Sequence, residues 1–241
     1  MTHDPVDGLA VRLLGDFELR RAGEQLRLPP GMPAQAVKVL AVHAREMHIE
    51  ELVDALWPDI DVELGRTRLR NVLSRIRDVA GDIVERDGPH LRMHRDVEID
   101  LVQFETEARA AHSTADADAA RRHADAAVGL YGGVLLPGDP YEGWAVPARE
   151  RARQLYLAML DLLAKAAVDE GRLGHALQLT EQAIGVDRYE EQRYIECARL
   201  LERMGRRAAA VHLLQRARAV LVQLEVTPSL ELVELDLSLR E

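Results

Sequence analysis

Apolar residues recur at helical spacing through most of this 241-residue chain, and strand-like runs are confined to the first hundred residues. Val11 to Leu19 and Glu24 to Leu28 are apolar-rich runs set around Arg20-Arg21-Ala22-Gly23, which predicts a β-hairpin with a Gly-containing turn. The segment Leu28-Pro29-Pro30-Gly31-Met32-Pro33 then breaks the sheet, with Pro33 suited to the first turn of a helix. Ala36, Val37, Leu40 and Ala41 carry that helix to about Ala44. Ile49, Leu52, Val53, Leu56 and Trp57 repeat the spacing and predict a second helix stopped by Pro58. After a tight acidic connection, a third helix is predicted from near Val62 to about Ala80, ended by Gly81. Ile83 to Arg86 and His90 to Met93 flank Asp87-Gly88, a pair suited to a two-residue hairpin loop. Three helices followed by a hairpin is the order of a winged helix-turn-helix.

From Asp100 onward nearly everything reads as helix, interrupted by a loop from Gly132 to Trp144. An offset of 34 residues superposes Ala164 on Ala198, Gly171 on Gly205, Arg172 on Arg206, Ala176 on Ala210, Leu179 on Leu213 and Ala183 on Ala217. That offset is the tetratricopeptide period, and small residues at these places let two antiparallel helices approach closely. The predicted fold is mainly α: an N-terminal winged helix-turn-helix with small β-hairpins over residues 1–98, then an all-α tetratricopeptide-like domain over 99–241.

Composition agrees with helix, since aromatic residues make up only 4% of a chain that is 47% hydrophobic. The one cysteine, Cys197, lies on an apolar-patterned helix and reads as a small core residue. The absence of a possible internal disulfide, of a 20-residue apolar run and of a basic-then-apolar leader predicts a cytoplasmic protein with no membrane partner. Charge complicates the picture. The formal net charge is −10, and residues 1–100 hold 14 Lys and Arg against 19 Asp and Glu, a net −5. Nucleic-acid binders ordinarily carry positive charge to neutralise phosphates. One helix-sized island is positive: Gly65 to Arg77 contains Arg66, Arg68, Arg70, Arg75 and Arg77 with no acidic residue.

At 100° per residue, Leu69, Val72, Leu73, Ile76, Val79 and Ala80 share one arc of the third helix and must face the core. The opposite arc carries Thr67, Arg68, Arg70, Asn71, Ser74 and Arg75, with Arg66 and Arg77 at its borders. Arginine bonds guanine or phosphate in pairs, asparagine reads adenine, and Ser or Thr bonds phosphate, which is the chemistry of a major-groove helix. Arg86 and Arg92 in the second hairpin would add wing contacts. His90 and His94 are about 13 Å apart on an extended strand, too far to share a metal. No phosphate-binding Gly-rich loop, nucleophile motif or carboxylate pair occurs, so neither enzyme activity nor a metal or other cofactor is expected. Tyr131, Tyr141, Trp144, Tyr156, Tyr189 and Tyr194 either line a binding groove in the helical half or seal its packing.

VRLLGDFEL at the start, EELVDALWPD in the second helix, LRNVLSRIRDVAG in the third and IDLVQFE near Asp100, followed by LYGGVLLPG, YEGW and AVDEGRLGHALQLTEQAI, occur in a telling order. In that order and spacing they resemble the SARP/AfsR-type bacterial transcriptional regulators, an OmpR-like winged helix followed by a bacterial transcriptional activator domain. The resemblance implies an activator that binds double-stranded DNA at repeated sites, often as a side-by-side pair of copies, and recruits RNA polymerase. It puts Arg68, Asn71, Ser74 and Arg75 on the recognition helix and Arg86 and Arg92 on the wing. The loop Trp57, Pro58, Asp59, Ile60 and Asp61 would lie near polymerase. Val72 departs from the pattern, standing where relatives often have His or Tyr.

Two readings follow. The first is a sequence-specific DNA-binding activator, homodimeric on its repeated sites. The second, motivated by the acidic charge, is a protein-interaction or ligand-sensing module whose winged helix no longer binds DNA and whose helical repeats hold a peptide or small-molecule effector.

Overall fold

A computed structural model describes residues 8–240. Residues 1–7, on which the reading of the missing leader rests, lie outside the described residues. The chain divides into two compact units, one built from residues up to 107 together with 129–153, the other from 108–128 together with residues from 154 onward.

The first unit opens with β1 (Leu9–Arg12), β2 (Glu18–Arg21) and β3 (Glu24–Leu26). β2 and β3 form the expected hairpin, with Arg21 opposite Glu24 around Ala22-Gly23. The run from Val11 to Leu19 is not one strand, however. The amides of Leu13 and Leu14 donate to the two carboxylate oxygens of Asp100 at 2.8 and 2.9 Å, which takes the chain out of the ladder between β1 and β2. The same stretch bonds to the Gly132–Trp144 loop: Leu136 N–H donates to the Leu13 carbonyl at 3.0 Å and Gly15 N–H to that of Val134 at 3.1 Å. A two-residue strand, β7 (Glu98–Ile99), pairs parallel with β1 and completes the order β3-β2-β1-β7.

The helix-turn-helix follows as α1 (Met32–His43), α2 (Ile49–Leu56) and α3 (Val62–Ala80). Asp61 caps α3, its carboxylate accepting from the amides of Glu63 and Leu64 at 3.0 and 3.3 Å, and Gly81 ends it. Ala36, Val37 and Leu40 of α1, Leu52 and Val53 of α2, and Leu69, Val72 and Ile76 of α3 are buried together as the core of the unit. Gly65 sits where α3 meets α2: a Cβ there would collide with Cγ1 of Val53 and stand 3.5 Å from its Cβ and Cγ2. The wing is β5 (Val84–Asp87) and β6 (His90–Met93), joined in one sheet with β4 (Met47–His48) in the order β4-β6-β5. Its loop is Gly88-Pro89 and not Asp87-Gly88, because Asp87 stays in the ladder opposite His90. The Pro89 carbonyl accepts the amide of Ile49 at 2.8 Å, tying the wing loop to the start of α2.

The helical half contains α4 (Asp100–Ser113), α5 (Ala117–Leu130), a 3-10 turn (Gly143–Ala145), and α6 (Val146–Asp169). It ends with α7 (Leu173–Val186), α8 (Glu191–Arg203), α9 (Arg207–Gln223) and α10 (Leu230–Ser238). The boundary between the two units falls within α4, α5 and α6. The 34-residue repeat is visible in the turns α6–α7 and α8–α9. Arg172 N–H bonds the Ala167 carbonyl and Arg206 N–H that of Leu201, both at 2.8 Å, while Gly171 and Gly205 take φ of 75° and 72°. Only glycine adopts that conformation without a Cβ penalty, so these two residues reverse the chain at equivalent places. Ala176, Ala198, Ala210 and Ala217 are fully buried between the hairpins, and Cys197 is buried with them. α10 covers this core with Leu232, and its buried Asp236 is held by Arg218 at 3.1 Å and Arg240 at 3.0 Å. Tyr156 and Tyr194 are packed inside, whereas Tyr141 and Tyr189 are exposed.

Candidate nucleic-acid interface

α3 is the element whose surface chemistry stands out. Its 19 residues give a rod roughly 28 Å long whose width suits a major groove. Leu69, Val72, Ile76 and Ala80 anchor it in the core, so the opposite arc is necessarily outward. Val72 is 7% exposed and belongs to the core side. Thr67, Arg68, Arg70, Asn71, Ser74, Arg75 and Arg77 are all exposed, and Arg66 is half-buried.

These side chains fall into two groups. The border arginines are spoken for. Arg66 pairs with Glu63 at 2.8 Å and with Glu50 of α2, and Arg77 pairs with Asp82 at 2.5 Å. Between them, Arg70 donates to the Thr67 hydroxyl at 3.1 Å but meets no carboxylate among the described residues. Arg68, Asn71, Ser74 and Arg75 have no hydrogen-bond partner among the described residues. Spacing of three, four and seven places Arg68, Asn71 and Arg75 on one stripe of the helix, with Ser74 on the next. An exposed stripe with two uncompensated guanidinium groups and an amide offers donors to phosphate and base edges at once.

The wing divides in the same way. Strand alternation and register put Val84, Arg86, Leu91 and Met93 on one face and Glu85, Asp87, His90 and Arg92 on the other. Leu91 and Met93 are buried, so Arg86 lies on the side of α3. Two adjoining depressions, about 490 and 210 Å³, are both lined by Arg70, Leu73 and Arg86, which places the α3 and wing cations along one seam. Arg86 donates to the Gly88 carbonyl at 2.9 Å, which steadies its guanidinium without neutralising it. Arg92 is different. It bonds Glu85 at 2.7 Å and Glu46 at 3.2 Å, and its hydrogen bond holds the Glu85 carboxyl below the usual range. Arg92 therefore stands in an acidic cluster that also includes His94, 3.2 Å from Glu85.

In the loop after α2, Pro58, Asp59 and Asp61 are exposed, and Trp57 and Ile60 are half-buried. Asp61 is committed to capping α3, which leaves Asp59 as the free acid of the loop. Val62 and Leu64 add 42% and 48% exposed apolar surface beside it.

The neutralising partners were the part hidden from sequence. Glu63 lies one turn before Arg66 and could have been paired with it by spacing; Glu50 and Glu46 come from distant elements and could not. The seam between Arg70 and Arg86 likewise depends on the strand register. Among the described residues, no cluster of three or more His, Cys, Asp or Glu could hold a metal ion, and no helix is long and apolar enough to cross a membrane.

Comparison with known proteins adds to this geometry. A search of curated proteins finds no match. Among solved structures the chain is similar to Mycobacterium tuberculosis EmbR, a protein determined in complex with a low-affinity phosphopeptide. The TM-score is 0.76 at 21% identity, covering 97% of this chain and 65% of that one, so the likeness is one of fold and the chain spans less than two thirds of that protein. The family described as "Bacterial transcriptional activator domain" matches residues 99–240, more than half of the chain. The chain belongs to the bacterial transcriptional activator domain family.

Proposed function

We propose that this protein is a transcription regulator of the SARP type that binds double-stranded DNA sequence-specifically, with α3 in the major groove and the Arg86 side of the wing against the adjacent backbone. The observation that carries this reading is the exposed stripe of Arg68, Asn71 and Arg75, which meets no carboxylate inside a unit that is acidic overall. Arg68, Arg70, Arg75 and Arg86 supply phosphate and guanine contacts, Asn71 an adenine contact, and Thr67 and Ser74 phosphate contacts. Arg66, Arg77 and Arg92 contribute less, since each would first have to leave an ion pair. Two copies sit side by side on repeated sites, and the exposed surface of Asp59, Val62 and Leu64 meets RNA polymerase. Residues 1–98 act as the DNA-binding domain and 99–241 as the activator domain. The protein acts in the cytoplasm and catalyses no reaction.

Genome-wide mapping of bound DNA supplies the operator, and fluorescence anisotropy then measures affinity against salt. The slope of log K on log salt is expected near −0.9 per neutralised phosphate. Replacing Arg68 and Arg75 by Ala is expected to weaken binding by at least tenfold, at roughly 1–3 kcal/mol for each lost contact. Unchanged affinity in that double variant overturns the site. The net charge of −10 favours one other reading, a module that senses a partner and no longer binds DNA. Failure to enrich any genomic site supports it.

A further inference from the structure

A groove of about 620 Å³ lies wholly within the second unit, between α6 and α8. Its floor is apolar, made by Ala164 and Val168 of α6 and Leu200 of α8. At one end the charges are closed among themselves: the half-buried Arg193 is clamped by Asp161 at 2.9 Å and approaches Asp187 at 3.9 Å. Further along, Lys165 and Arg203 line the groove with no partner among the described residues. Arg199 stands beside them and reaches Glu231 at 2.9 Å, but both side chains are about half exposed, so the pair is weak and exchangeable. Lys165 and Arg199 are 34 residues apart. They occupy the same position in consecutive hairpins, so the repeat itself spaces the cations along the groove.

The groove's acids offset this only in part. Asp161 is engaged by Arg193, and Glu196, which accepts a long 3.4 Å bond from Gln192, stands one turn before Arg199 and leaves Lys165 and Arg203 unpaired among the described residues. Glu190 lies outside α8, just before its first turn. The far end therefore presents three cations around an apolar floor in a protein whose overall charge is −10. From Asp161 to Val168 the wall is roughly 10 Å long, which matches about three residues of extended chain. In such a chain alternate side chains point opposite ways, so acidic residues can reach the cations while apolar neighbours cover the floor.

We propose that this groove holds a short extended protein segment with acidic side chains, its carboxylates on Lys165 and Arg203 and its apolar side chains on Val168 and Leu200. The proposal concerns the second unit alone and does not depend on DNA binding by α3. It makes the activator domain a reader of acidic segments, through which a partner protein would address the regulator.

The test is selection from a random dodecamer library displayed on phage against the full chain, counter-screened with Lys165→Glu/Arg203→Glu. Both residues lie on the groove wall outside the packed core, and circular dichroism melting verifies that the variant folds; Lys165→Gln/Arg203→Gln serves as the milder replacement. Selected peptides are expected to be rich in Asp and Glu interleaved with apolar residues. As synthetic peptides they are expected to bind the charge-reversed chain at least tenfold more weakly, since a charge-assisted hydrogen bond is worth about one decade of affinity. No enrichment, a basic or uncharged consensus, or equal binding to both variants overturns the proposal.

Discussion

Gly65→Ala is the sharpest test of how α3 is set against the body of the winged helix. The added Cβ lies far inside the ordinary carbon–carbon separation of about 3.5–4.0 Å from Cγ1 of Val53, and at 3.5 Å from two further Val53 carbons. Val53 is 2% exposed and β-branched on a helix, so it holds essentially one χ1 rotamer and has nowhere to turn. Relief requires α2 and α3 to part. Overpacking of this kind costs about 1–3 kcal/mol, and the stiff neighbour argues for the upper half of that range. The helix propensity gained by replacing Gly with Ala returns about 1 kcal/mol. A net loss of about 1–2 kcal/mol is expected. Val53→Ala alone removes two buried methyl groups, at about 0.8 kcal/mol each before any cavity cost. In that background Gly65→Ala meets no clash and becomes stabilising by up to about 1 kcal/mol, so the sign of one substitution reverses with its neighbour. Urea unfolding followed by tryptophan fluorescence measures this cleanly, because both tryptophans, Trp57 and Trp144, belong to the first unit. If Gly65→Ala were neutral in the native background, or equally harmful in both, the close approach of the helices would not be what fixes glycine there.

Three further outcomes follow from buried groups. Asp236→Ala leaves two guanidinium groups without their carboxylate; because those arginines are 37% and 48% exposed, the loss is expected at about 1–2 kcal/mol, read as a lower melting temperature by circular dichroism. An unchanged melting temperature would show that the Asp236 ion pairs do not hold α10 in place. The Cys197 thiol is fully buried, and burial pushes it up to about 12, so iodoacetamide at pH 8 is expected to modify it only as fast as the second unit opens. Rapid labelling without denaturant would contradict that packing. Burial also raises the Asp100 carboxyl above its ordinary value of about 3.9, against the opposing bonds from the Leu14, Leu13 and Leu101 amides. A raised folded value means the protonated form is favoured by folding, so this contribution is complete below about pH 4 and fades as pH rises through the raised value. The stability of the native chain relative to Asp100→Asn should shrink across that window, and a constant or widening difference would reverse the assignment.

What could be read from sequence was whatever is decided locally. α3 begins after Asp61 and ends at Gly81 because capping and termination are set by residues within one turn, and both were legible. The 34-residue spacing foretold the matching turns at Gly171 and Gly205 for the same reason. The two-residue strands β4 and β7 were not legible, since so short a strand exists only through its partner elsewhere in the chain. The wing loop moved by one residue because the Asp87–His90 pairing, not the turn propensity of Asp-Gly, sets the register. At the candidate interface the outward arc of α3 followed from periodicity. The division into paired and unpaired arginines did not, because Glu50 is brought to Arg66 by the packing of α2 on α3, and Asp82 reaches back to Arg77 only through the turn the chain takes after Gly81.

The loop between α5 and α6 shows how far local reading misjudges inheritance. Asp139 accepts from Gln35 and Lys38 of α1, each at 2.7 Å, with the Lys38 and Asp139 side chains only 12% and 9% exposed. Leu13 and Leu14 in turn depend on Asp100. The family match at residues 99–240 thus contains parts that the winged helix needs to be whole. The two halves are not an interchangeable cassette: a chimaera joined at residue 99 must carry Gln35, Lys38, Asp100 and Asp139 as a matched set, or it severs a buried ion pair and strands two backbone amides.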